Sequence, residues 1–159
     1  VNVSTQISHD TAEPLRGAAL QAILPQRFPF LLLDRIDTWQ PMRHATGCKA
    51  VGSVEPYLLH NGETEWPMPF VIESLGQLAI ALFNLSQPDG TAPKVLLGNV
   101  SGVTYHAPIP LGSHLDLEVR IERVIDDQFI ASGIARLHGA PCMEMDSLIC
   151  KILNEGAGS

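Results

Sequence analysis

Polar residues nearly vanish between Phe70 and Phe83. The run Phe70-Val71-Ile72-Glu73-Ser74-Leu75-Gly76-Gln77-Leu78-Ala79-Ile80-Ala81-Leu82-Phe83 has only Glu73, Ser74 and Gln77 as polar side chains. A stretch this long and apolar on every face predicts a buried helix. Pro67 and Pro69 stand near its start, where proline is tolerated. Gln87-Pro88-Asp89-Gly90 offers turn chemistry at its end. The helix is therefore expected over 69–86.

Further along, the period changes. Leu115-Asp116-Leu117-Glu118-Val119-Arg120-Ile121-Glu122 alternates strictly between apolar and polar, as a strand with one solvated face does. Strand regions are expected at 94–105, 115–122, 129–137 and 142–153. A connection through Pro108 and Pro110, the Asp126-Asp127 turn and the Gly139-Ala140-Pro141 turn separate them. Before the helix, 31–39 and 45–54 read as strands around a turn at Pro41, with Gly47 and Gly52 inside the second. A short helix is expected over 15–23, stopped before Pro25, followed by an ordered loop with Phe28, Pro29 and Phe30. Residues 55–68 read as a loop. Residues 1–14 read as a loose leader, 154–159 as a frayed tail, and 15–153 as a single domain.

Two strands, one long apolar helix and about four longer strands make an α+β chain. A helix with no polar face must be covered on all sides, and a curled antiparallel sheet does this economically.

Composition narrows the partners. Of 159 residues, 45% are hydrophobic, enough for a sizeable core. The formal net charge is -7, with no basic run, which argues against a nucleic-acid partner. An acidic protein partner would need a local basic patch, for which Arg27, Arg35, Arg43, Lys49 and Lys94 are the candidates. Cys48, Cys142 and Cys150 are odd in number, lack metal-ligand spacing and read as free thiols. No apolar run approaches the roughly 20 residues of a membrane span, and the first residues lack a signal pattern. A soluble, cytoplasmic protein is expected.

Glu73 and Gln77 are four residues apart and share one helix face. A carboxyl enclosed there loses its water and is held towards the neutral acid. Such an acid can deliver a proton to a leaving group. A Glu at the helix edge, reaching solvent or pairing with Arg, is the plainer alternative. His60 precedes Glu73 by 13 positions in the loop before the helix. An imidazole beside a carboxylic acid supplies both proton abstraction and leaving-group protonation. The remaining histidines, His9, His44, His106, His114 and His138, lie in the leader, near turns or at strand ends. The helix N-terminus offers backbone N–H groups and a positive dipole end to an oxygen that gains charge. Met68 N–H is the best placed donor, since Pro69 has none. There is no metal-ligand constellation, glycine-rich phosphate loop or nucleophile elbow.

At these residues the sequence resembles the FabZ-type (3R)-hydroxyacyl-(acyl carrier protein) dehydratases, over about residues 20 to 153. Leu24-Pro25-Gln26-Arg27-Phe28-Pro29-Phe30-Leu31-Leu32-Leu33-Asp34-Arg35 resembles the family's Leu-Pro-His-Arg-Tyr-Pro-Phe-Leu-Leu-Val-Asp-Arg, with Gln26 as the main departure. Glu55-Pro56-Tyr57 resembles its Glu-Pro-Phe. Glu73-Ser74-Leu75-Gly76-Gln77 resembles the Glu-Ala-x-Ala-Gln of its central helix. Residues 107–112 are similar to its Pro-x-x-Pro-Gly-Asp region. The family's His-Phe-Pro-Gly loop is here His60-Asn61-Gly62-Glu63, one residue shorter before the glutamate. Met68 takes the place of a glycine at the helix start.

The resemblance implies a hotdog fold, in which a curled antiparallel sheet wraps one long central helix. It implies a homodimer or higher homo-oligomer with sites at the interface. His60 would abstract the proton α to the thioester, and Glu73 of the partner subunit would protonate the departing β-hydroxyl. Gln77, the Met68 N–H and Gly62 would support them, with Trp66 and Phe70 shaping the substrate tunnel. No cofactor is implied. The acyl group would arrive on phosphopantetheine, on acyl carrier protein or as a coenzyme A thioester, in a fatty-acid or specialised polyene or polyketide pathway. Two other readings stay open: a hotdog thioesterase in which Glu73 activates water, and a non-catalytic acyl-binding subunit that pairs with another hotdog protein.

Overall fold

The computed structural model describes residues 13–52, 62 and 64–153. His60, Glu63, most of the leader, the Glu55-Pro56-Tyr57 segment and the tail lie outside the described residues.

The chain runs β1 (Leu15–Arg16), α1 (Ala18–Ile23), β2 (Arg35–Gln40), β3 (His44–Ala50), α2 (Met68–Leu85), β4 (Lys94–Tyr105), β5 (His114–Ile125), β6 (Gln128–Leu137) and β7 (Ala140–Leu153). The strands form one antiparallel sheet in the order β1-β2-β3-β5-β6-β7-β4. It curls around α2, the arrangement expected of a hotdog fold.

Helix α2 is the core of the domain. Its residues from Ser74 to Asn84 are all buried, and Phe83 stacks on Phe129 of β6 with ring centroids 4.7 Å apart. The helix has the length and hydropathy of a membrane span, contrary to the sequence reading, but 67% of that window is buried inside the protein. The sheet covers it, so its apolar character is that of a core helix. Its C-terminus is tied down twice. Ser86 Oγ accepts from Met42 N–H in the β2–β3 turn, and Asn84 Nδ2 donates to the Ile23 carbonyl at the end of α1.

Four boundaries differ from the periodic pattern. The expected helix at 15–23 starts only at Ala18, because Leu15 and Arg16 pair with Ile36 and Arg35 and Gly17 turns the chain at φ 56°. The expected strand at 31–39 starts only at Arg35, because the backbone before it bonds to side chains of α2. Strand β3 ends at Ala50, short of the expected 54. Strand β5 runs on past Glu122; the alternation breaks there because the pairing with β6 slips between Ile121 and Arg123.

Among the described residues the sheet has two free edges. One is the two-residue β1. The other is β4, 12 residues long and mostly exposed. An edge of that length presents a row of backbone donors and acceptors without a partner strand among the described residues.

Candidate active site

Gln77 is the pivot of the site. It has no exposed surface, and the backbone around it fixes which way its amide points. The Leu32 N–H donates to Gln77 Oε1 at 2.8 Å. A backbone N–H can only meet an acceptor, so the amide nitrogen must face the other way. There it donates to the Phe30 carbonyl at 2.8 Å and to Glu73 Oε1 at 2.9 Å. Ser74 Oγ, one residue after Glu73, donates to the Leu32 carbonyl at 2.6 Å. The Phe30 carbonyl and both the N–H and the carbonyl of Leu32 are thus satisfied by α2 side chains rather than by a strand ladder, as buried peptide groups require. This explains the late start of β2.

The consequence for Glu73 is geometric. Its Oε1 is committed to Gln77, so a proton on this carboxyl resides on Oε2. Among the described residues no hydrogen bond reaches that oxygen.

Cys150 of β7 is fully buried and close enough to Glu73 to feel its charge. Burial, and then the negative charge of Glu73, pushes its thiol up to about 12. It stays a neutral thiol. Cys48 and Cys142 are also free and buried, and burial raises both.

The start of α2 is more open than its sequence implies. Met68 and Pro69 are exposed, and Phe70, Ile72 and Glu73 are only half-buried. Phe28 and Phe30, from the segment that meets Gln77, are 81% and 57% exposed. Met68 is the first helical residue, and Pro67 caps the helix without a side-chain bond. Its N–H therefore stands at the positive end of the helix dipole. Trp66 is 2% exposed, donates its backbone N–H to the Ile109 carbonyl and packs on Phe70 at 6.0 Å between centroids. Gly62 is exposed with φ 63°.

The other histidines among the described residues lie on strands or directly after them. His106 bonds to Glu144 at 2.6 Å, His114 begins β5, His44 begins β3, and His138 sits in the β6–β7 turn at φ 51°. Among the described residues, no group of three or more His, Cys, Asp or Glu could hold a metal ion.

The candidate basic residues do not form one patch. Arg35 pairs with Asp37, and the largely buried Lys49 lies 3.5 Å from Asp34. Arg43 lines a cleft at the β2–β3 turn, by the C-terminal end of α2. Arg27 and Lys94 share a groove, of about 260 Å³, between the end of α1 and the start of β4. Arg27 spends its donors on the carbonyls of Gln21, Leu24 and Gln26.

The sequence reading missed the backbone partners of Gln77 and the position of Cys150. Both lie far from Glu73 along the chain, and no local pattern marks them.

No family model matches the chain. Relatives do. The chain is 33% identical over 122 residues to the 3-hydroxyacyl-(acyl-carrier-protein) dehydratase FabZ of Roseiflexus sp. (strain RS-1), covering 76% of this chain and 85% of that protein. It is 35% identical over 134 residues to FabZ of Chloroflexus aggregans, covering 83% and 88%. The chain belongs to the FabZ dehydratase family. As a FabZ-family protein it is a hydro-lyase of the 3-hydroxyacyl dehydratase type. Its fold is the hotdog fold: the dehydratase heterocomplex ApeI:P from Xenorhabdus doucetiae superposes with a TM-score of 0.70 at 18% identity, over 86% of this chain and 91% of that one.

Proposed function

We propose that this FabZ-family protein removes water from a (3R)-3-hydroxyacyl thioester borne on acyl carrier protein, giving the trans-2-enoyl thioester. His60 takes the proton α to the thioester carbonyl. The electrons of that C–H bond form the new C=C bond, the β C–O bond breaks, and Glu73 gives its Oε2 proton to the leaving hydroxyl. The departing group is water. Met68 N–H bonds to the thioester oxygen while it carries charge, and Gly62 lets the loop after His60 turn at positive φ. Trp66 and Phe70 back the tunnel. The reaction uses no cofactor beyond the phosphopantetheine arm.

The observation that carries this reading is the locked Gln77 amide, which holds Glu73 Oε1 and leaves Oε2 for a substrate. In this reading a second copy pairs along the open β4 edge. It covers the half-exposed start of α2, and its own His60 faces Glu73. A fatty-acid or a specialised polyene or polyketide pathway would use such an enzyme.

Pairing with a different hotdog subunit is a second reading. The long β4 edge accepts any matching strand, and ApeI:P is a heterocomplex.

Purified protein incubated with 3-hydroxyacyl thioesters on carrier protein and on coenzyme A tests the proposal. Loss of one water by mass spectrometry, abolished in Glu73→Gln, supports it. Release of free thiol without an enoyl product would turn the assignment to a thioesterase. An intact substrate that is consumed only when a second hotdog subunit is added would support the hetero-pair.

A further inference from the structure

Glycine at position 76 has no backbone reason to be there. It lies inside α2, where φ is negative and alanine is the better helix former. The reason is space. A Cβ added at Gly76 would meet Leu97 Cδ2 at 2.5 Å, with Leu97 Cδ1 at 3.2 Å and Cγ at 3.3 Å. The isobutyl group of Leu97, from β4, fills the volume that a side chain at 76 would take.

That volume adjoins the acid. Glu73, Gly76 and Gln77 lie on one helix face, and Gly76 is about 4.5 Å deeper along the axis than Glu73. Leu97 pairs with Cys150 across the β4–β7 ladder, and the Cys150 thiol feels the Glu73 charge. Glu73, Gly76, Leu97 and Cys150 are therefore one neighbourhood. Strand β4 slips register between Leu97 and Asn99, and a bulge of this kind re-aims a side chain. Leu97 is half-buried, whereas Leu75, Leu78 and Ile80 of α2 are closed off completely. It stands at the boundary between the open start of α2 and the sealed core.

We propose that Leu97 is the stop of the acyl site: packed on Gly76, it limits how far an acyl chain can run past Glu73 and makes the enzyme selective for short chains. This rests on the dehydratase reading. The terminal methyl of a short substrate meets the Leu97 side chain, and each further methylene has to displace it.

The test is the chain-length profile of the full-length protein on carrier-protein substrates from 3-hydroxybutyryl to 3-hydroxydodecanoyl. Wild type should favour the short end. Leu97→Ala should move the optimum to longer chains, with kcat/KM rising about fourfold for each methylene newly admitted, which is ~0.8 kcal/mol. Leu97→Val, which keeps more of the packing, should move it less in the same direction and serves if the alanine variant does not fold. Adding Gly76→Ala to Leu97→Ala refills the space with a methyl group and should return the optimum towards short chains. A purely structural role would lower kcat/KM evenly across the series. Wild-type turnover with an optimum that none of the variants moves overturns the role of Leu97 and leaves the dehydratase reading standing. No turnover of any substrate by wild type overturns both.

Discussion

Gln77 donates to Glu73 at 2.9 Å from an amide that cannot turn round, because Leu32 N–H and the Phe30 carbonyl hold its two ends. The bond therefore runs in one direction, and it selects which oxygen of Glu73 can carry a proton. Replacing Gln77 by Leu keeps the volume and removes every bond. The Leu32 N–H and the Phe30 carbonyl are left unpaired, so stability should fall by about 1–3 kcal/mol. The acid also loses its orientation, so kcat should fall roughly tenfold to hundredfold with little change in KM. Denaturant titration and steady-state kinetics read the two effects separately. Unchanged kcat in a folded variant would remove Gln77 from the mechanism.

If each site takes His60 from one subunit and Glu73 from its partner, two dead variants should complement. His60→Ala and Glu73→Gln should each lose about 10²–10⁴-fold in rate while staying folded. A mixed dimer contains one intact site. After unfolding and refolding an equal mixture, about a quarter of wild-type activity should return, as statistical pairing in a two-fold symmetric dimer requires. No recovery, with mixed dimers demonstrated by mass, places both residues in the same subunit.

Gly47 sits on β3 where a Cβ would lie 2.5 Å from the Arg35 carbonyl oxygen. Backbone cannot swing aside as a side chain can. Gly47→Ala should cost about 1–3 kcal/mol. The matching change at Gly133 meets only side-chain carbons of Leu75 and Met145 at 3.3 Å and should cost less. Chemical denaturation of the two variants side by side checks the order.

Glu118 is the charged centre of the sheet's outer face. Burial works against its charged form, but hydrogen bonds from Arg136 Nη1 and Arg120 Nη2, each at 2.9 Å, outweigh it and hold the carboxyl below the usual glutamate range. A carboxyl lowered on folding adds stability above its unfolded value and loses it as pH falls through its folded value. Glu118→Gln should therefore lower Tm at neutral pH. The gap to wild type should hold down to about pH 4.3 and shrink below it. A gap that is constant with pH would show that the charge is not the cause.

The three thiols should be silent in the native state. Cys150 is raised to about 12 and is fully buried, and Cys48 and Cys142 are buried as well. Ellman's reagent at pH 8 should register almost none of them in folded protein, and all three in denaturant. Fast reaction of one thiol in folded protein would mean that the packing around it opens.

Much of this molecule was legible in the sequence because the signals are local. A long run with few polar residues reads as a buried helix, and α2 begins and ends within a residue of the expected limits. Strict alternation identified β5, and the turn residues bounded β6 and β7. Helix geometry alone brings Glu73 and Gln77 together. Tertiary structure decided what no period encodes. Residues 31–34 look like strand, yet Leu32 bonds to a side chain 45 residues away. Arg27 and Lys94, far apart along the chain, line one groove, because α1 and β4 approach each other there. Gly76 reads as a weak spot in a helix until Leu97 is seen against it. The reason is general: periodicity records which face of an element is covered, whereas the partner that covers it is set by how the whole sheet closes.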